Sequence, residues 1–233
     1  MSSQLQDISP LETQLGVTFK DKNLLQQAVV HRSYLNEHKN FPLAHNERLE
    51  FLGDAVLELS VTEYLYKTYP NPEGELTNWR ASLVNAVMLA KITADLGVEK
   101  FLYLSRGEAR DSSTRARQTI LANAFEAIVG ALYLDQGWEA CDTFIKKEVL
   151  VHLANILEHR LFMDPKSRFQ ELAQDKLGVT PQYRVMSESG PDHNKLFTVG
   201  AFVGKELVAE GTGNSKQDAQ MIAAENGLVA KGW

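Results

Sequence analysis

Asn46-Glu-Arg-Leu-Glu-Phe-Leu-Gly-Asp-Ala-Val-Leu-Glu58 decides how this chain is read. It spaces Glu47, Glu50 and Asp54 at i, i+3 and i+7. On a helix that turns about 100° per residue, Glu50 lies at roughly −60° and Asp54 at roughly −20° from Glu47, so the three carboxylates share one face. Leu49, Leu52, Val56 and Leu59 form another face and are expected in the core. Like charges three and four residues apart cost about 0.2–0.5 kcal/mol per pair. The acidic face is therefore either well-solvated surface or the seat of a cation. Magnesium, which prefers carboxylate and water oxygens, is the first candidate. Gly53 costs about 0.8–1 kcal/mol inside a helix, which suggests that something approaches the backbone closely there. Phe51 falls at about +40° beside the acids, as a partner contact or as half-buried core.

The 233 residues suffice for one large domain or two ordinary ones, and 44% hydrophobic with 23% charged residues is a globular composition. One cysteine, Cys141, excludes an intrachain disulfide and fits a reducing cytoplasm. The opening Met-Ser-Ser-Gln-Leu-Gln-Asp has no basic region and no apolar stretch, so no signal peptide is expected. No apolar run reaches the roughly 18 residues of a membrane span. The net charge of −6 argues against a nucleic-acid partner unless cations are concentrated locally.

Residues 5–40 read as helical, with Leu24, Leu25, Ala28 and Val29 at helical spacing before Val30-His-Arg-Ser-Tyr34. His31 and Arg32 suit either phosphate contacts or ordinary hydrogen bonding. Asn46 is the expected N-cap of the central helix, which should run to Tyr69-Pro70. The loop Pro70–Glu75 holds Glu73, and one helix is expected from Thr77 to Leu96, stopped by Gly97. Ser105 to Gln118 lacks apolar periodicity and reads as exposed. Its Arg106, Arg110, Arg115 and Arg117 against Glu108 and Asp111 give +4 −2 = +2, a place able to meet phosphates.

Thr119 to Asp135 is nearly all apolar or small, so a buried helix is expected, with Ala127, Gly130 and Ala131 allowing a close neighbour. Its lone early acid, Glu126, should be paired or bind a metal. Asn123, one turn before, can share that face. Residues 139–160 read as a further amphipathic helix. After a linker near 159–164 the pattern changes to a helix from Lys166 to Leu177, three alternating strands, and a last helix from Ser215 to about Val229. The expected fold is an all-α domain over 1–160 followed by a small α+β domain, αβββα, over 164–233.

The stretch 46–57 resembles the signature of the ribonuclease III family. Val30-His-Arg-Ser-Tyr34 and Leu121-Ala-Asn-Ala-Phe-Glu-Ala127 extend the resemblance. Gly190-Pro-Asp-His193, Phe197-Thr-Val199 and Gly211-Thr-Gly-Asn-Ser-Lys216 resemble the hallmarks of a double-stranded-RNA-binding domain. The resemblance implies a homodimeric, magnesium-dependent endonuclease, with manganese as a substitute, that cuts both strands of duplex RNA. It implies 5′-phosphate and 3′-hydroxyl ends, two-nucleotide 3′ overhangs, and work in ribosomal and messenger RNA processing. The matching positions are Asp54 and Glu126 for catalysis, and Glu50, Asp54, Asn123 and Glu126 for metal. Glu47 and Glu73 match supporting or RNA-facing acids, and Phe51 an aromatic knob that enters the partner subunit. The RNA contacts match Gln170 and Glu171, then Pro191, Asp192 and His193, then Asn214, Ser215 and Lys216. The chemistry is consistent, since paired metal ions can clamp the attacking and leaving oxygens of phosphodiester hydrolysis.

Two departures from the family pattern matter. Asn123 stands where the family usually has aspartate, which keeps a carbonyl oxygen but removes a charge, so weaker magnesium binding is expected. Residues 161–233 hold 8 Lys and Arg against 9 Asp and Glu, a net of −1, and Gln217 and Asp218 follow Lys216 where the family adds lysine. Fewer cations mean weaker binding with a shallower salt dependence. The rival reading is a duplex-RNA-binding protein on a weakened nuclease scaffold. A DNA nuclease is disfavoured by a domain that reads 2′-hydroxyls.

Overall fold

The fold grows outward from a 22-residue helix, α4 (Glu47–Thr68), preceded in the chain by α1 (Ser9–Leu15), α2 (Lys22–Ala28) and α3 (Arg32–Glu37). After it come α5 (Glu73–Val84), α6 (Ala86–Asp95), α7 (Arg106–Arg110), α8 (Thr114–Gln136), α9 (Trp138–Glu148) and α10 (Leu153–Glu158). The computed structural model describes residues 5–110, 114–191 and 195–233. They divide into two compact units, one ending at Phe162 and one beginning at Met163.

The first unit is helical, with α4 and the apolar α8 at its centre. The buried stripe of α4 runs through Leu49, Gly53, Val56, Leu57, Ser60, Val61 and Leu65. Leu59, expected in the core, is 58% exposed. The stripe passes through Gly53 and Ser60 instead, two residues that a search for apolar periodicity overlooks. Phe51, Leu59 and Tyr66 leave large apolar surface facing outward.

Asn46 precedes α4 as expected, but its side chain does not cap the helix. It is buried and donates from Nδ2 to the Ala28 carbonyl at 3.1 Å, while its backbone N–H donates to Val30 O at 2.9 Å. The residue thus clamps the end of α2 to the start of α4. The helix expected over Thr77–Leu96 starts earlier and is broken. It begins at Glu73, where acids in the first turn complement the helix dipole. It breaks at Asn85, which is extended and caps α6 by accepting from Met88 N at 2.9 Å. The helix expected over 139–160 also breaks. A 3₁₀ turn at Leu150–His152 shifts its phase, so that Val149, Leu150 and Leu153 are all buried.

Parts of the stretch expected to be exposed, 105–118, form α7 and the first turn of α8, with Arg106, Arg110 and Arg115 exposed. Arg117 explains the early start of α8, since its guanidinium pairs with Glu99 at 2.7 Å. At the other end of α8 the Asp135 carboxylate accepts from Lys20 N at 2.9 Å and Asp21 N at 2.8 Å. Among the described residues, no helix is long and apolar enough to cross a membrane.

The second unit is α11 (Pro165–Leu177), β1 (Gln182–Ser189), β2 (Leu196–Val203), β3 (Glu206–Gly213) and α12 (Lys216–Lys231). Asp164 caps α11 by accepting from Ser167 N, Pro165 sits at its start, and Ser215 caps α12 by accepting from Asp218 N. The strands form an antiparallel sheet in the order β1-β2-β3, with bulges at Val185/Ser187 and Ala201/Phe202. Phe169 and Ala173 of α11, Ala201 and Val203 of β2, and Ala223, Ala224 and Leu228 of α12 make the core. The architecture is an all-α domain followed by αβββα.

Candidate active site

Two glycines set the site. A Cβ on Gly53 would stand 1.7 Å from the Glu126 carbonyl oxygen, and one on Gly130 would stand 2.1 Å from that of Leu49. The backbones of α4 and α8 therefore touch at reciprocal notches, where a side chain on either helix would collide. This contact explains the glycine inside the acidic helix. It also sets Glu50 and Asp54, which flank Gly53, against the turn of α8 that carries Asn123 and Glu126.

The electrostatics follow from that crossing. Burial first, then the charges of Asp54 and Glu50, push the Glu126 carboxyl up to about 7. Burial first, then the Glu47 charge, raises Glu50; Asp54 adds to the shift and the Asn123 amide, donating toward the carboxylate, opposes it. Three carboxylates thus act on one another. Among the described residues, no three His, Cys, Asp or Glu side chains converge closely enough to ligate one ion as they stand. The donor set of three carboxylates and one carboxamide is all hard oxygen, which suits magnesium or manganese.

Glu47 lies at the edge of this cluster, exposed, with Arg32 Nη1 at 3.3 Å and His45 Nδ1 at 3.7 Å. Sequence spacing did not pair these groups. They meet because the Asn46 clamp draws residues 28–32 against the start of α4. His31 is half-buried, which lowers its pKa, and its Nδ1 lies 2.8 Å from Ser33 Oγ. Glu73, at the first position of α5, is exposed, accepts from Thr77 Oγ1 at 2.9 Å and is not among the charges that act on Glu50 or Glu126. It lines a separate cleft with Tyr66, Tyr69, Leu76 and Arg80. Phe51 is 81% exposed, so it serves no core within its own chain.

In the second unit, Gln170 and Glu171 lie on α11 beside a shallow polar groove with Ser167, Gln174, Asp175 and Thr180. Pro191 and Asn214 are exposed. Ser215 caps α12, and Lys216 opens it. Asp192 and His193 lie outside the described residues.

Comparison with known proteins agrees with this architecture. Residues 21–153 match the family described as Ribonuclease-III-like, and residues 165–229 match the double-stranded RNA binding motif. The chain is 44% identical over 220 residues to Ribonuclease 3 of Pelotomaculum thermopropionicum, covering 94% of this chain and 91% of that one. It is also 44% identical over 224 residues to Ribonuclease 3 of Oceanobacillus iheyensis, covering 95% and 97%. A solved nuclease domain of Ribonuclease III from Campylobacter jejuni, described for flexibility in a region involved in dimer formation, covers 61% of this chain and 98% of its own. It superposes with a TM-score of 0.52 at 42% identity. With both domains matched in order and relatives aligned along nearly the whole chain, this protein belongs to the ribonuclease III family of endoribonucleases and carries that family's double-stranded-RNA-binding domain.

Proposed function

We propose that this chain is a homodimeric, magnesium-dependent endoribonuclease that hydrolyses both strands of duplex RNA. The products would carry 5′-phosphate and 3′-hydroxyl ends with two-nucleotide 3′ overhangs, and the work would be ribosomal and messenger RNA processing in the cytoplasm. The observation that carries the reading is the α4–α8 crossing, which leaves a half-buried Glu126 with its carboxyl near 7 beside Glu50 and Asp54. A half-buried acid beside two others is better accommodated with a cation among them.

Glu50, Asp54 and Glu126 would hold the metal, with the carbonyl oxygen of Asn123 as a neutral fourth donor. Magnesium, when bound, supplies positive charge to the scissile phosphate and a polarised water. The protein's own groups orient that arrangement: the notched helices fix the spacing of the acids, and Glu47 borders them while held by Arg32. Manganese would substitute, because the donors are the same hard oxygens. The outward row of Phe51, Leu59 and Tyr66 supports a second copy as its cover. Glu73, remote from Glu126 within one chain, would face RNA. Gln170, Glu171, Pro191, Asp192, His193, Asn214, Ser215 and Lys216 would follow the shape of the duplex.

The test is incubation of a long end-labelled RNA duplex with the purified protein, in magnesium and in chelator. Short duplex products with recessed 5′ ends, formed only with metal, are the expected result. RNA that stays intact yet shifts on a native gel would favour the binding-only reading, for which the missing charge at Asn123 is the specific support. In either case Asn123→Asp should tighten magnesium binding roughly tenfold, since affinity follows ligand charge. Calorimetric titration of the metal reads this without reference to cleavage.

A further inference from the structure

The second unit has few cations, and two of those nearest its candidate RNA-facing end are already engaged. Glu188, late in β1, holds Lys195 Nζ at 3.2 Å on Oε2 and Lys216 Nζ at 3.2 Å on Oε1. The lysines come from different elements, Lys195 just before β2 and Lys216 at the start of α12. Strand register explains why they converge. Glu188 is opposite Phe197 in the β1–β2 pairing, and Lys216 Nζ lies over the Phe197 ring at 5.4 Å. The hydrogen bonds from Lys195 and then Lys216 hold the Glu188 carboxyl below the usual range. All three side chains reach solvent, at 34% for Glu188, 38% for Lys195 and 57% for Lys216, so a phosphate can approach them.

We infer that Glu188 is a built-in counterion that sets how tightly this domain holds duplex RNA, by competing with backbone phosphates for Lys195 and Lys216. The inference rests on the reading that the start of α12 meets RNA. Exposed ion pairs are weak, so a phosphate can take both lysines by exchange. The exchange leaves Glu188 unpaired beside the RNA backbone, where it must recruit a cation from solution. That uptake cancels part of the counterion release that drives binding to nucleic acid. One carboxylate thereby lowers both the affinity and the salt dependence that two lysines would otherwise provide.

The experiment uses the full chain in chelator, so that RNA is bound without being cut. The RNA is a duplex longer than the roughly 16 base pairs such a domain spans, titrated over a series of salt concentrations. Glu188→Gln keeps the shape of the side chain and removes its charge. Its affinity should rise roughly two- to tenfold, and the plot of log affinity against log salt should steepen by about one unit. With Lys195→Gln and Lys216→Gln already in place, Glu188→Gln should change nothing. Unchanged binding by Glu188→Gln would overturn the inference, and so would weaker binding, which would mean that the carboxylate presents the lysines instead. A gain that persists without the lysines would overturn it too, as a general charge effect. If the unaltered protein fails to bind duplex RNA, the reading beneath the inference fails with it, a result distinct from the other three.

Discussion

Glu126 shows how much one side chain can report. Its carboxyl lies near 7 in the fold against 4.5 ordinarily, through burial and the neighbouring acids. Below about pH 4.5 it is neutral in folded and unfolded chains alike. Between about 4.5 and 7 the unfolded chain gives up this proton and the folded chain keeps it, so stability from this group is lost as pH rises through that window. The metal-free protein should melt at progressively lower temperature across it, and Glu126→Gln should flatten that part of the profile. Thermal melts in chelator at stepped pH decide the point, and a parallel profile in the variant would contradict it. A lone acid in an apolar helix made Glu126 legible in sequence. The pairing of Arg32 with Glu47 was not legible, because it depends on hydrogen bonds from Asn46 to residues 18 and 16 positions earlier. Spacing along one helix carries no trace of such contacts.

At the level of elements, the α4–α8 crossing is the feature on which the site depends. A methyl on Gly53 would fall 1.7 Å from a backbone carbonyl, and no rotamer change relieves a clash with backbone. Gly53→Ala should therefore cost about 3 kcal/mol of stability, at the upper end for overpacking. It should also separate Glu50 and Asp54 from Glu126, which lowers metal affinity. Denaturant melts and metal titration measure the two effects independently; a variant of normal stability would rule out the close crossing. The need for a close approach was readable from a glycine inside a helical pattern, and Gly130 from the small residues of α8. The course of the buried stripe was not, because Gly53 and Ser60 occupy positions that hydrophobic periodicity leaves blank. The break at Asn85 was hidden for a related reason. Asparagine is tolerated within helices, and only its cap on Met88 N reveals the new start.

The molecule as a whole pairs a helical unit that carries acids with a sheet-bearing unit whose cations are sparse. Motifs some 70 residues apart made both units legible. The three strands followed from alternation and turns, whereas their order in the sheet and its bulges did not. Phe51, 81% exposed on the acidic helix, makes a prediction at this scale. Phe51→Ala should leave the melting of a single protomer within about 0.5 kcal/mol, as exposed positions usually do, while weakening self-association. Sedimentation at falling concentration should show dissociation earlier than in the unaltered protein; an unchanged profile would remove Phe51 from the interface. The two anchors of α8 have a mechanical consequence. Arg117 ties its first turns to Glu99, and Asp135 ties its end to the backbone at Lys20 and Asp21. Between these anchors Asn123 and Glu126 sit among the buried Ala122, Ala124, Phe125 and Ala127, so close packing leaves the backbone there little room to move. If, as proposed, a cation gathers the acids, the travel would come from the Glu50 and Asp54 side chains across the notch. Amides in the middle of α8 should then exchange with solvent among the slowest in the chain, with the same protection factors whether metal is present or absent.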